Sequence, residues 1–262
     1  MAWSRVISAA LLFCCSSLFG ADTKYIQTEF GKTAYKSVDN KTKTVVLQAG
    51  LGDDSSTYKE LLKNSNNSFS YVAIDRLGKG DSSKPANGRS PCDIAKEQRE
   101  ALINAGFKPP FILVGHSLGG LYQYVYAKMY PSDVAAMILL DPTHPNHWES
   151  LQKTSSSLAL VVKTLRLTAF SAEDKREFDA QTECLDRLDI DTPLKTPTTF
   201  LFSGSFSPLE KGLFEEMMAM LRADWMRLVE GANAKTIHSS GHYLQNEASG
   251  DVLGAISESL GK

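Results

Sequence analysis

The sequence predicts an α/β protein: a mostly parallel central sheet, helices on both faces, and a small helical cap inserted late in the chain. Three observations predict it. Short, continuously apolar runs alternate with stretches of helical spacing. Each apolar run stops at glycines, serines or charges. Residues 142–197 then break the rhythm with many charges, many serines and no convincing strand. Continuously apolar strands are buried on both faces, which is the habit of parallel strands covered by helices. A connection as long as 142–197 is too long for a plain loop, so it reads as a helical cap.

The elements follow in order. Residues 25–37 alternate loosely, as an opening hairpin would. Thr44–Gln48 (TVVLQ) is a strand stopped by Gly50 and Gly52. Phe69–Asp75 (FSYVAID) is the next, ended by RLGKGDSS. Ser90-Pro91 pairs an N-cap residue with proline at the first helical position, opening a helix to about Ala105. Phe111–Gly115 is a third buried strand. Leu118, Leu121, Tyr122, Val125 and Met129 then share one face of a helix that Pro131 stops. Val134–Leu140 and Thr198–Ser203 are further strands. Leu209–Val229 is helical, Thr236-Ile237-His238 ends the last strand, and a helix follows from about Ala248.

Composition narrows the function classes. The 262 residues are 42% apolar and 22% charged, enough for one large core. The net charge of -2 lacks the basic excess of a nucleic-acid binder. No run of 18 apolar residues occurs, so no integral membrane span is expected. Residues 1–21 hold one charge, Arg5, then an apolar block from Ala9 to Cys15 and the small exit Gly20-Ala21. That pattern predicts a secretory signal peptide and a secreted or periplasmic protein; the alternative is a short N-terminal membrane anchor. Residues 22–262 would then form one domain. Export leaves two cysteines, Cys92 and Cys184, a candidate disulfide whose pairing the spacing alone does not establish. No CxxC pair or Cys/His cluster suggests a metal site.

The strongest motif is Gly115-His116-Ser117-Leu118-Gly119, followed by Gly120, between an apolar strand and an amphipathic helix. G-x-S-x-G in that setting is a nucleophile elbow. The turn is so tight that small residues are needed two positions either side of the serine. It lifts the Ser117 hydroxyl above the sheet, at a helix N-terminus that favours negative charge.

On GHSLGG and its setting, the chain resembles the α/β-hydrolases over about residues 40–260. The resemblance implies a serine hydrolase with an acid and a histidine following in chain order. His242, in Ser-Ser-Gly-His-Tyr, occupies the Gly-His turn expected of the base, and His238 is its competitor. The acid departs from the commonest pattern. After Thr198–Ser203 comes Gly204-Ser205-Phe206-Ser207-Pro208, with no carboxylate until Glu210. Asp141, directly at the end of the preceding strand, is the favoured acid and Glu210 the alternative. The backbone N–H groups of Leu118 and of Leu51, in Ala49-Gly50-Leu51-Gly52, would form the oxyanion hole. That loop resembles the family's His-Gly-x-Gly with alanine in place of histidine, which leaves its bracing open. Asp75-Arg76-Leu77-Gly78-Lys79-Gly80-Asp81-Ser82 resembles a family turn and reads as structural, braced by Asp75.

The expected activity is cleavage of carboxylic esters of small molecules through an acyl-enzyme, with no cofactor. The alternatives are an aminopeptidase, amidase or cofactor-free perhydrolase on the same residues, or a non-catalytic binding module. A serine at the elbow argues against the dehalogenases and epoxide hydrolases that use a carboxylate there. An aminopeptidase would want cap carboxylates for a substrate ammonium. Glu173, Asp174, Glu177, Asp179, Glu183, Asp186, Asp189 and Asp191 supply acid, but such a run reads as a solvated helix face. Leu213, Met217, Met218, Met220, Leu221, Trp225 and Leu228 suit core packing, with an apolar acyl pocket as the alternative.

Overall fold

The computed structural model describes residues 22–86, 88–208 and 210–261; the predicted signal peptide, residues 1–21, lies outside the described residues. An eight-stranded sheet runs β1 (Lys24–Gln27), β2 (Lys32–Val38), β4 (Tyr71–Ile74), β3 (Val45–Gln48), β5 (Phe111–His116), β6 (Val134–Leu140), β7 (Thr198–Ser203), β8 (Asn233–Ile237). The expected opening hairpin is β1–β2, and β2 joins the sheet antiparallel to β4. The remaining pairs are parallel. Their sequences explain it: β3, β4 and β5 are buried at every position, so helices must cover both faces.

The helices are α1 (Lys59–Asn64), α2 (Pro91–Asn104), α3 (Leu118–Met129), α4 (His147–Thr154), α5 (Ser156–Thr168), α6 (Ala172–Asp179), α7 (Leu213–Leu228), α8 (Leu244–Glu247) and α9 (Ser249–Leu260). Ser90 caps α2 reciprocally with Asp93, and Pro91 takes the first helical position. Residues of α2, α3 and α7 build the core on one face of the sheet, including Ile94, Leu121, Tyr124 and Trp225. Leu61, Leu244, Val252 and Ile256 build the other. No helix among the described residues is long and apolar enough to cross a membrane.

Helices α4–α6 occupy the segment between β6 and β7. Leu151 of α4 and Ala159 of α5 form a small separate core with Met217, Met218 and Leu221 of α7. Met217 and Met218 therefore pack these helices onto the body of the protein, while Trp225 and Leu228 join the main core; Leu213 and Met220, expected in the same core, are exposed instead. Helix α7 itself begins at Leu213, later than the sequence suggests, because Gly212 turns the chain with φ 79°. A disulfide joins Cys92 in α2 to Cys184, 92 residues on and just beyond α6, so it staples the inserted segment to α2.

Candidate active site

The turn from β5 into α3 has the geometry its residues dictate. Ser117 sits at φ 52° and ψ −123°, a conformation that L-residues avoid and that costs about 1–3 kcal/mol. The surrounding contacts enforce it. A Cβ on Gly115 would lie 2.5 Å from the Gly119 carbonyl oxygen, and one on Gly119 would lie 2.3 Å from the Gln48 carbonyl oxygen. Only glycine lets the start of α3 approach the ends of both β5 and β3. The Ser117 N–H donates to the Leu140 carbonyl at 3.0 Å, fixing the elbow beside the end of β6.

Asp141 follows immediately. Its N–H donates to the Leu201 carbonyl of β7 at 2.8 Å, and its side chain is buried. The His242 Nδ1–H donates to Asp141 Oδ2 at 2.8 Å. Three more donors converge on this carboxylate: the Ser203 hydroxyl at 2.9 Å, the Ser203 N–H at 3.4 Å and Arg222 Nη2 at 3.0 Å. Burial alone would raise the pKa of Asp141. His242, Arg222 and Ser203 outweigh it, so the group is held below the ordinary carboxylate value. An ionised carboxylate only accepts, so His242 Nδ1 carries the proton of this bond, and Nε2 is the ring nitrogen not engaged with Asp141. The strand end where a carboxylate is commonest, that of β7, supplies Ser203 as a donor to Asp141 instead.

His242 lies in the turn between β8 and α8, braced by a bond from the Gly241 N–H to Glu247 Oε2 at 2.7 Å. Its side chain is 47% exposed, so the candidate site is open to solvent on this side. Ser117 is linked to it through the preceding residue: His116 Nε2 donates to the His242 carbonyl at 2.9 Å, with the two imidazoles 4.7 Å apart. Burial, with the His242 charge adding to it, pushes His116 down to about 3, so it stays neutral. The other sequence candidates lie elsewhere. Glu210 accepts a bond from the Ser207 N–H at 2.8 Å in an exposed turn, and His238 is exposed just past β8. His147, which the sequence did not single out, opens α4 within electrostatic reach of Asp141 and His242, and burial holds it at about 4.

The loop after β3 brings Gly50 against the elbow, where a Cβ would lie 3.2 Å from Ser117 Cβ. Its bracing is supplied by Arg76. Nη1 donates to the Ala49 carbonyl at 2.6 Å and Nη2 to the Gly50 carbonyl at 2.8 Å. Asp75 braces the turn as expected, accepting from the Ser55 N–H at 2.8 Å and the Asp81 N–H at 3.1 Å. One expectation needs correcting. Glu177 of α6 is not on a solvated face but fully buried, accepting from Arg76 Nε at 3.2 Å and Nη2 at 2.9 Å and from Arg89 Nη2 at 3.1 Å. Asp174, also in that acidic run, pairs with Lys79. These long-range pairs leave no trace in local spacing; the only sequence signal is the two cations, Arg76 and Lys79, set within that turn.

Comparison with known proteins fits this architecture. The family model described as alpha/beta hydrolase fold matches residues 43–218, two thirds of the chain. The protein YqjL of Bacillus subtilis is 34% identical over 99 residues, 38% of this chain and 39% of its own length. The chain thus matches about two fifths of that curated relative. Cfl2 of Burkholderia cenocepacia superposes with a TM-score of 0.69 at 19% identity, covering 94% of this chain and 97% of the other. The carboxylesterase CesB of Bacillus subtilis superposes with a TM-score of 0.63 at 18% identity, covering 93% of each. An elbow at the end of β5, a buried carboxylate at the end of β6, a histidine after β8 and a match over two thirds of the length converge: the chain belongs to the alpha/beta hydrolase fold family.

Proposed function

We propose that the protein is a serine hydrolase that cleaves carboxylic esters through an acyl-enzyme. The observation that carries this reading is the bond between His242 Nδ1 and the buried Asp141 carboxylate, beside an elbow that holds Ser117 at positive φ. With Nδ1 occupied, Nε2 of His242 is the nitrogen free to take the Ser117 proton as Oγ attacks the ester carbonyl. Asp141 stabilises the imidazolium so formed. The Leu118 and Leu51 N–H groups receive the developing oxyanion. Nε2 then protonates the leaving alcohol, and water, activated by the same nitrogen, releases the acid.

The cap carboxylates that would favour an aminopeptidase are in part committed elsewhere: Glu177 to two arginines and Asp174 to Lys79. The Cys92–Cys184 bond suits export to an oxidising compartment. The test is hydrolysis of a panel of p-nitrophenyl esters by the wild-type chain and by Ser117→Ala. Turnover by the wild type with a loss of at least about 10⁴-fold in the variant is the expected outcome. Equal turnover by both would overturn the reading.

A further inference from the structure

Arg76 and Glu177 lie 101 residues apart and meet in the interior, 4% and 0% exposed. One edge of the guanidinium, Nε and Nη2, faces the Glu177 carboxylate at 3.2 and 2.9 Å. The remaining donors reach two consecutive carbonyls, Ala49 and Gly50, at 2.6 and 2.8 Å. A trans peptide is planar, with its C=O and N–H pointing opposite ways. Fixing the Gly50 carbonyl on Arg76 therefore fixes the Leu51 N–H on the side away from Arg76. Fixing the Ala49 carbonyl does the same for the Gly50 N–H. Gly50 has no side chain to restrain its backbone, and the Asp53 N–H reaches its carbonyl only at 3.4 Å, so the shorter Arg76 bonds are the stronger anchors on the two peptides.

We propose that Glu177 is a positioning residue for the oxyanion site: it sets the plane of Arg76, and through it the direction of the Leu51 N–H. This rests on the serine-hydrolase reading above and deepens it. Glu177 stands on α6, within the segment inserted between β6 and β7. The inserted helices are thus wired to the donor loop by a buried carboxylate rather than by apolar contact alone. The groups facing Glu177 are Arg76, Arg89, Lys79 and the Tyr122 hydroxyl, and Arg89 is itself held by Glu97. Burial would raise the Glu177 carboxyl, but the surrounding cations bring it down to about 2, so it remains charged at any working pH.

A purely structural role would lower the fraction of folded enzyme. A positioning role lowers transition-state stabilisation in each folded molecule. The experiment separates the two by measuring kcat and KM per active site, with sites counted by fluorophosphonate titration, for the full disulfide-bonded chain. The variants are Glu177→Gln, which keeps the size and removes the charge, and Glu177→Asp, which keeps the charge and shortens the reach. A trifluoromethyl ketone, which mimics the tetrahedral intermediate, is bound in parallel. The expected result for Glu177→Gln is kcat per site down about 10- to 100-fold, smaller than or equal to loss of one oxyanion donor. Ketone affinity falls by the same factor while KM stays within about threefold, and Glu177→Asp recovers part of the loss. If Glu177→Gln does not fold, Glu177→Asp carries the same comparison, with kcat and ketone affinity falling together. Unchanged kcat per site in the folded variants overturns the inference alone. A wild-type chain that neither hydrolyses esters nor reacts with the fluorophosphonate overturns the serine reading and this inference with it.

Discussion

Asp141 and Glu177 are both buried carboxylates held ionised by a neighbouring arginine, yet their partners differ in one property. Glu177 faces guanidiniums whose charge is permanent, from Arg76 and Arg89. Asp141 faces Arg222 and also the imidazole of His242, a ring that can exchange a proton rather than hold a permanent charge. The first arrangement fixes backbone; the second can respond to a proton moving during a reaction. The surroundings match. Glu177 is sealed inside the protein, whereas the partner of Asp141 opens to solvent, with His242 47% exposed. A buried charge pair thus stands against a backbone loop in one region and against a solvent-open imidazole in the other.

The sharpest way to break this contrast is to neutralise Asp141. Asp141→Asn keeps the shape but loses the charge that stabilises an imidazolium on His242, and kcat should fall about 10³- to 10⁴-fold. Glu210→Gln, in its exposed turn, should stay within about twofold of wild type. Steady-state kinetics on the two variants check this, and an Asp141→Asn enzyme keeping most of its activity would remove Asp141 from its role.

A smaller effect tests the arginine beside Asp141. Arg222 donates to Asp141 and to the Ser203 carbonyl, and stacks near Phe202 and Phe206. Its charge offsets part of the field that Asp141 exerts on His242. Arg222→Met should therefore move the acid limb of kcat/KM to higher pH by about half to one unit. The other titratable groups facing His242 are Asp53, His116 and His147, none of which the substitution alters. An acid limb that does not move would make Arg222 a structural tether only.

The smallest effect is on stability. His116, His144 and His147 are held at about 3, 4 and 4 by burial, below the ordinary 6.5. Between these values the unfolded chain binds protons that the folded chain refuses, so stability falls as pH drops below about 6.5. Glu177, lowered from 4.5 to about 2, and Asp141, also lowered, contribute stability that is present above their ordinary values and lost as pH falls through their folded ones. Calorimetric Tm should thus decline in two stages, the first below about pH 6.5 and the second below about pH 4.5, by a few degrees each. A flat Tm between pH 6.5 and 5 would contradict the neutral histidines.

The two carboxylates also differ in how well the sequence reveals them. Asp141 ends an unbroken apolar run, and a charge at such a boundary lies at the carboxyl end of a buried strand, where parallel sheets place their sites. The Ser117 turn is legible for another reason: the close approach of backbone there demands glycine at 115 and 119 and leaves it in the sequence. Glu177 is not legible. Its neighbours Glu173, Asp174 and Asp179 make it look solvated, and only the folding of α6 against Arg76, 101 residues away, buries it. Arg222 likewise occupies a polar position of α7 and meets Asp141 from 81 residues away. Local periodicity reports which face of an element is buried, but not which distant charge waits there. Helix α7 shows the limit of spacing as well: Met217, Met218, Leu221, Trp225 and Leu228 are spent on packing, whereas Leu213 and Met220, read in the same apolar set, are exposed.

The decisive measurement is the site of covalent capture. The full chain would be treated with a fluorophosphonate and digested, and the modified peptide identified by mass. A single adduct on Ser117, absent from Ser117→Ala and slowed in Asp141→Asn, is the result expected of a serine held at the β5–α3 turn and activated by the His242–Asp141 pair. An adduct on another residue, or none in a chain that still hydrolyses esters, would contradict it.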